Sequence, residues 1–194
     1  VVLLTYNHEK YIRTCLESII SQKTTFKFEL IVGDDASTDQ TAKVILEYAT
    51  LYPDIVIPVI RKKNIGAVAN LVELLKIARG KYIAGCEGDD YWINSNKLEF
   101  QFRFLEEKED YIACSHDIEI VNEDGTLADK QYLTWISPAR DYSLKDYKGI
   151  LLPGHPVALV FRNIFREEED PGVLLDFHTL IADRSLAVML AVRG

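Results

Sequence analysis

Acidic side chains stand directly after two apolar segments of this sequence. They are Asp34 and Asp35 in the first cluster and Glu87, Asp89 and Asp90 in the second. Carboxylates held close together repel one another, and a hard divalent cation bound through oxygen removes that cost, which favours magnesium or manganese over zinc. A single Asp-Asp pair after a strand is equally typical of a turn or a helix cap. Two such clusters together favour a site for a metal ion and phosphate.

Other arrangements of catalytic residues are missing from the chain. No GxxxxGK[ST] segment supports a P-loop, and no GxGxxG segment supports a dinucleotide-binding enzyme. The serines, cysteines and histidines form no recognisable set for nucleophilic catalysis. Cys15, Cys86 and Cys114 match no CxxC pattern, so we expect reduced thiols.

The acidic clusters need a scaffold, and the hydrophobic pattern supplies one. Continuous apolar runs predict buried strands at 1–4, 30–32, 55–60, 82–86 and 111–117. Helical spacing predicts helices at 11–20, from Ser37 to about residue 49, at 70–79 and at 97–108. A capping box of Ser37 and Gln40 would open the second helix, and Gly80 would end the third. This alternation predicts an α/β fold with a mainly parallel sheet flanked by helices, whose ligands bind at the carboxyl ends of the strands.

The alternation of strands and helices stops after residue 117. An apolar segment at 118–121 leads to a turn at 122–125, a polar aromatic stretch runs to residue 147, and a strand is predicted at 156–161. The acidic run with Pro-Gly at 166–172 predicts a solvated loop. We therefore expect a smaller mixed or antiparallel extension.

Composition excludes several classes of protein. The 194 residues are 48% hydrophobic and 27% charged, which is typical of one folded domain. The net charge of −8 argues against nucleic acid as a partner, and the basic run at 61–63 is interpreted as a solvated loop. No run reaches the roughly eighteen apolar residues of a membrane span. The chain opens at Val1 without a Met and stops at Gly194, so we expect a region trimmed from a longer polypeptide, whose other segments could associate peripherally with a membrane.

At these motifs the sequence resembles the inverting family 2 glycosyltransferases over nearly all of its length. Thr5-Tyr6-Asn7 is similar to the first-strand segment of that family, and residues 33–39 are similar to its VDDxSxD segment. The resemblance implies a GT-A fold and a nucleotide-sugar donor whose base lies on Thr5, Tyr6 and Asn7. It also implies that Asp35, with Asp34 beside it, holds the uracil edge of a UDP donor.

Glu87-Gly88-Asp89 stands where the family has its DxD metal motif. The resemblance implies that Asp89 binds the Mn²⁺ or Mg²⁺ ion that bridges the donor phosphates, with Asp90 assisting. Glu87 replaces the usual aspartate, and its longer side chain would still reach the ribose. Two further donor-side residues, Asn64 and Gly66, lie in a segment that is similar to the one preceding this motif in the family.

The acceptor side is represented by fewer residues. Asp183, followed by an apolar helical pattern, resembles the general base of the family, while Asp176 is a competing candidate and helix capping an alternative role. Arg184 stands where the family more often has an aromatic residue. His155, in Gly154-His155-Pro156, resembles a histidine near the acceptor or the diphosphate. Trp92 is interpreted either as a pocket wall or as a core residue.

These observations predict one catalytic domain over residues 1–194, with a donor half at 1–117 and an acceptor-side half at 118–194. The expected reaction moves a sugar from a nucleotide sugar to a hydroxyl of a saccharide or lipid-linked saccharide, with inversion and with Asp183 as base. By family analogy the setting is polysaccharide or cell-envelope synthesis at the cytoplasmic face of a membrane. Two alternatives stay open: a sugar nucleotidyltransferase and a noncatalytic nucleotide-sugar-binding domain.

Overall fold

The computed structural model describes residues 1–129, 140–146, 154–166, 169–177 and 182–193. Its strands are β1 (Val2–Thr5), β2 (Leu30–Asp34), β3 (Val56–Ile60), β4 (Tyr82–Glu87), β5 (Ala113–Cys114) and β6 (Val160–Arg162). Its α-helices are α1 (Ile12–Ile20), α2 (Thr41–Leu51), α3 (Ala67–Ile77), α4 (Lys97–Glu107), α5 (Val173–Phe177) and α6 (Asp183–Ala191). Among the described residues the strands form one six-stranded sheet in the order β3-β2-β1-β4-β6-β5, which confirms the predicted α/β class.

The parallel part of the sheet brings the polar strand ends to one edge. β1 pairs with β2 and with β4, in registers that set Thr5 beside Asp34 and Leu4 beside Glu87. β3 adds a fourth parallel strand on the far side of β2. Because parallel strands end at the same edge, the segments that follow β1, β2 and β4 lie next to one another.

Helices cover both faces of the sheet, which explains the continuous apolar runs of the central strands. Leu3 and Leu30 belong to the core cluster that includes residues of α1, α2 and α4, and both are fully buried. Val2 and Ile31 belong to a second cluster, which includes residues of α3, α5 and α6. Truncating a buried leucine lowers the free energy of unfolding by roughly 2–5 kcal/mol. This packing therefore holds the strands, and the polar residues at their ends, in fixed positions.

The predicted capping box of Ser37 and Gln40 is wrong. Helix α2 begins at Thr41, whose backbone N–H donates to the carboxylate of Asp39 at 2.9 Å. Ser37 instead donates its hydroxyl to the carboxylate of Asp34. A hydrogen bond to an ionised carboxylate is stronger than one to a neutral group, and it keeps Ser37 in the loop after β2.

Helix α3 begins and ends earlier than predicted. It starts at Ala67, directly after Gly66, whose φ of 88° no helical residue has. It ends at Ile77, and Ala78 is already extended, so Gly80 does not terminate it.

The second half contains the expected mixed extension, but its strands are shorter than predicted. β5 covers only two residues, and β6 lies between β5 and β4 and runs antiparallel to both. The predicted strand at 156–161 starts with a 3-10 turn over Pro156–Ala158, because Pro156 has no N–H for a sheet ladder. The turn predicted at 122–125 is present. Gly125 has φ 81°, and a β-bridge joins Val121 and Leu127 on either side of it. Parts of the polar aromatic stretch and of the acidic loop fall outside the described residues.

The cysteines agree with the expectation of reduced thiols. All three cysteines are free. In the described part of the chain, no helix combines the length and the apolar character that crossing a membrane requires.

Candidate active site

The two adjacent carboxylates at the end of β2 accept hydrogen bonds from backbone N–H groups of nearby loops. Asp34 is fully buried and accepts both the hydroxyl and the backbone N–H of Ser37. Asp35 is 4% exposed, and its two oxygens accept the backbone N–H groups of Ile65 and Gly66 at 2.8 and 2.9 Å. Both residues therefore shape the predicted donor site, and their contact with a nucleobase stays a prediction.

Two residues at these strand ends have left-handed backbone. Asn7 has φ 57° and Ala36 has φ 62°, a conformation that costs about 1–3 kcal/mol at residues other than glycine. Asn7 is held there because its Oδ1 accepts the N–H of Thr38 and its own N–H donates to Oγ of Ser37, each at 2.8 Å. The loops after β1 and β2 are thus tied together, and the neighbouring Tyr6 is exposed.

The loop before α3 joins the same unit. The N–H of Gly66 is shared between Asp35 and the side-chain oxygen of Asn64, which lies at 3.1 Å. The positive φ of Gly66 favours glycine at this position. The predicted donor residues Asp35, Asn64 and Gly66 therefore form one hydrogen-bonded set.

Glu87, Asp89 and Asp90 form an acidic cluster at the end of β4. Each offers a carboxylate oxygen within 4.8 Å of those of the other two. Glu87 is exposed to solvent, yet desolvation by the protein around its carboxyl group, followed by the charges of Asp90, Asp89 and Asp183, raises its pKa to about 7. Desolvation and the charge of Asp89 also raise the pKa of Asp90. A divalent cation would relieve this repulsion and would find the oxygen ligands that Mg²⁺ and Mn²⁺ prefer, so these residues fit the predicted metal.

Gly88 allows the acidic cluster to lie close to β1. A Cβ at this position would be 2.7 Å from Cβ of Thr5 and 2.8 Å from Nδ1 of His8. That nitrogen lies 3.3 Å from Oγ1 of Thr5 and 3.8 Å from Oδ1 of Asp89. In the sequence His8 belongs to no motif with an assigned role, and only its place just after β1 could have indicated one.

Replacing Gly88 with alanine is expected to weaken the binding of Mn²⁺ by tenfold or more, because the methyl group must displace Thr5 and His8 and, with them, Asp89. Electron paramagnetic resonance of free Mn²⁺ during a titration measures this affinity. Gly125→Ala is the control, since its Cβ would meet no atom within 4 Å and it strains only a remote turn. If Gly88→Ala binds Mn²⁺ with unchanged affinity, the close packing of the end of β1 against the acidic cluster is not needed for metal binding.

A cavity of about 670 Å³ opens beside the acidic cluster. Its walls are mainly aliphatic, and its polar lining among the described residues includes Glu87, His155, Asp183 and Arg184. Asp183 thus faces the same space as Glu87, and its charge contributes to the raised pKa of that carboxyl. The structure therefore brings Asp183 and Glu87, the first residue of the predicted metal motif, to one cavity although they are far apart in the sequence.

The geometry distinguishes the two candidate bases. Asp183 is half-buried at the first position of α6, and its Oδ1 accepts the N–H of the adjacent Arg184 at 2.8 Å. Asp176 is exposed on the short helix α5 and is not among the described residues that line the cavity. Asp183 stays the predicted base, because it lines the cavity that Glu87 also lines and Asp176 does not.

The structure supports the core interpretation of Trp92. Its side chain is 7% exposed and packs in the cluster that contains Leu98 and Leu105. Nζ of Lys97 lies 4.2 Å from the centre of its ring. The cavity is lined by residues of the opposite face of the sheet, such as Ile83, so Trp92 is not a wall of it.

The basic run at 61–63 is only partly solvated. Arg61 is half-buried, and its Nε donates to Oδ1 of Asn70 at 2.8 Å. Asn70 in turn donates to the carbonyl of Gly33 at 2.8 Å, so the end of β3 is tied to α3 and β2. Lys62 and Lys63 are exposed, as predicted.

Known proteins resemble this chain in sequence or in fold. Rv1520, an uncharacterized protein of Mycobacterium tuberculosis, is 44% identical over 125 residues, which are 64% of this chain and 36% of that protein. The structure of S. aureus TarS 1–349 in complex with UDP-GlcNAc has a TM-score of 0.69 at 24% identity and covers 98% of this chain and 52% of its own. The mannosyltransferase PcManGT of Pyrobaculum calidifontis, in complex with GDP-Man and Mn²⁺, has a TM-score of 0.54 at 25% identity, over 60% of this chain and 34% of its own.

The chain spans little more than a third of Rv1520 and about half of the TarS chain. The profile of glycosyl transferase family 2 matches residues 1–168, which include both acidic clusters but not Asp183. Together with the GT-A architecture of the sheet, this match over most of the sequence shows that the chain belongs to glycosyl transferase family 2.

Proposed function

We propose that this chain transfers a sugar from a nucleotide sugar to a hydroxyl acceptor by a metal-assisted single displacement that inverts the anomeric centre. The observation that carries the proposal is that Glu87, from the acidic cluster, and Asp183 line one cavity beside the carboxyl edge of the sheet. Such a displacement needs a cation near the departing diphosphate and a base near the incoming hydroxyl.

The donor is proposed to bind over the ends of β1 and β2. Asp34 and Asp35 would act there by fixing Ser37 and Gly66, which their carboxylates already hold, and Asp35 retains free lone pairs for a nucleobase N–H. The remaining residues proposed to contact the donor are Thr5, Tyr6, Asn7, Asn64 and Gly88.

Asp89 is proposed to bind Mn²⁺ or Mg²⁺, with Asp90 beside it and Glu87 directed to the ribose. When bound, the cation would supply Lewis-acid stabilisation of the negative charge on the departing diphosphate, worth several kcal/mol. The clustering of the three carboxylates and the raised pKa of Glu87 support this assignment.

Asp183 is proposed to take the proton of the acceptor hydroxyl while the acceptor oxygen forms a bond to the anomeric carbon. The bond from that carbon to the diphosphate oxygen breaks, and the nucleoside diphosphate leaves with the electron pair. No covalent intermediate on the protein is required. His155, which lines the same cavity and accepts the N–H of Val157 at 3.4 Å, is proposed to contact the acceptor or the diphosphate.

The acceptor is proposed to be a saccharide or a lipid-linked saccharide, in polysaccharide or cell-envelope synthesis at the cytoplasmic face of a membrane. Residues 1–117 would form the donor half of one catalytic domain and residues 118–194 its acceptor-side half. TarS holds a UDP-sugar and PcManGT a GDP-sugar in their structures, so a shared fold does not choose the nucleotide.

A thermal-shift screen of UDP-, GDP- and dTDP-sugars, each with and without Mn²⁺, tests this function. A donor at about 100 times its Kd stabilises the folded state by about 2.7 kcal/mol, which raises the Tm of a domain of this size by roughly 5–10 °C. We expect that shift with a UDP-sugar and Mn²⁺ together. No shift with any nucleotide sugar would contradict the proposal. With UTP, GTP and dTTP screened in parallel, a shift confined to these triphosphates would favour the nucleotidyltransferase alternative.

A further inference from the structure

His8 occupies a fixed position directly after β1. Its backbone N–H donates to the hydroxyl of the buried Thr41 at 2.8 Å, and its carbonyl accepts the N–H groups of Tyr11 and Ile12, each at 2.9 Å. The start of α1 and the start of α2 therefore hold the backbone of His8 from two sides. Only 25% of its side chain is exposed.

The imidazole of His8 is directed at the acidic cluster. Nδ1 is the ring nitrogen that lies 3.3 Å from Oγ1 of Thr5 and 3.8 Å from Oδ1 of Asp89. The second distance is too long for a hydrogen bond. The Asp89 side chain is 49% exposed, so a rotation about its own bonds can close the gap.

Asp89 is held less firmly than the other carboxylates at this edge. Asp35 receives two backbone N–H groups, and Asp34 is bonded to Ser37. For Asp89, the nearest nitrogen donor that the structure gives within the described residues is the ring of His8. A carboxylate that binds a metal is usually oriented by a second hydrogen bond, and removing such a partner lowers metal affinity by about 10- to 100-fold.

We propose that His8 is the positioning residue of Asp89, donating its Nδ1–H to one carboxylate oxygen so that the other is directed to the cation. The inference rests on the proposed role of Asp89 as a metal ligand. The arrangement requires glycine at position 88, because a side chain there would occupy the space between the His8 ring, Thr5 and the acidic cluster.

Three substitutions of His8 separate this role from a merely structural one. The side-chain nitrogen of asparagine can take the place of Nδ1, whereas that of glutamine takes the place of Nε2. With Mn²⁺ as the probe, in a titration followed by electron paramagnetic resonance, we expect His8→Ala and His8→Gln to raise the Kd by about 10- to 100-fold. His8→Asn should stay within about threefold of the wild-type chain.

The outcomes also separate this inference from the proposed function. Equal Kd values in His8→Ala and the wild-type chain, or equal losses in His8→Asn and His8→Gln at matched Tm, would overturn the role of His8. Coupling of the bound Mn²⁺ to an imidazole nitrogen that is present in the spectrum of the wild-type chain and lost in His8→Ala would also overturn it, because His8 would then bind the metal itself. Asp89→Ala is measured in parallel: if it too leaves the Kd unchanged, the proposed metal site fails, and if it alone raises the Kd, only the inference about His8 fails.

Discussion

The Asp183→Asn variant is expected to lose about 10²- to 10⁴-fold in turnover number while it binds the nucleotide sugar as tightly as the unchanged chain. Asparagine has the shape of aspartate but cannot accept a proton, and general base catalysis contributes a factor of this size. Asp183 lines the cavity that Glu87 also lines, and the hydrogen bond that it accepts from the N–H of Arg184 can also be accepted by the amide oxygen of asparagine. The substitution therefore removes a charge and a base without opening a space.

Asp176→Asn is the matched control, because Asp176 is the other candidate base and lies exposed on α5. Sugar transfer to acceptor is measured at saturating donor, with donor affinity measured separately by thermal shift. We expect Asp176→Asn to stay within about twofold of the unchanged chain, as surface substitutions usually do. Full turnover in Asp183→Asn, or a large loss in Asp176→Asn, would transfer the role of base away from Asp183.

The parallel half of the fold could be predicted because its signals are local. Strands buried on both faces are mainly apolar, and β1, β2 and β4 are apolar up to their last residue, which is polar in each of them. The edge at which Thr5, Asp34 and Glu87 meet follows from parallel strand order alone. The sequence pattern therefore predicts that the two acidic clusters lie at the same edge of the sheet.

Features that depend on contacts between distant segments could not be predicted from the sequence. β6 inserts beside β4 through a three-residue pairing of Tyr82–Ala84 with Val160–Arg162, which no pattern within either segment reveals. Ser37 looks like a helix cap, yet the buried carboxylate of Asp34 takes its hydroxyl. His8 is a single residue whose relation to Asp89 appears only when the ends of β1 and β4 are side by side.

Asp89→Ala is expected to abolish the part of nucleotide-sugar binding that depends on Mn²⁺. Asp89 is half-exposed beside Glu87 and Asp90 and is the proposed ligand of the cation, so its truncation removes an oxygen ligand and a negative charge from the metal site. Without it the thermal shift of roughly 5–10 °C expected with a UDP-sugar and Mn²⁺ should fall to about the shift seen without the metal. The fold should persist, since the Asp89 side chain supports no buried contact that the structure gives in the described part of the chain.

The control for this variant is Asp54→Ala, which removes one exposed carboxylate from the turn that precedes β3, at the opposite edge of the sheet. Both variants change the net charge equally, so a general electrostatic effect on a polyanionic ligand would appear in both. If only Asp89→Ala loses the Mn²⁺-dependent binding of the UDP-sugar, the loss comes from the site itself. The two variants remove the same charge, one near the cavity and one far from it. Equal UDP-sugar affinity in Asp89→Ala and in the unchanged chain, with Mn²⁺ present, would remove Asp89 from the donor site and with it the metal-assisted step.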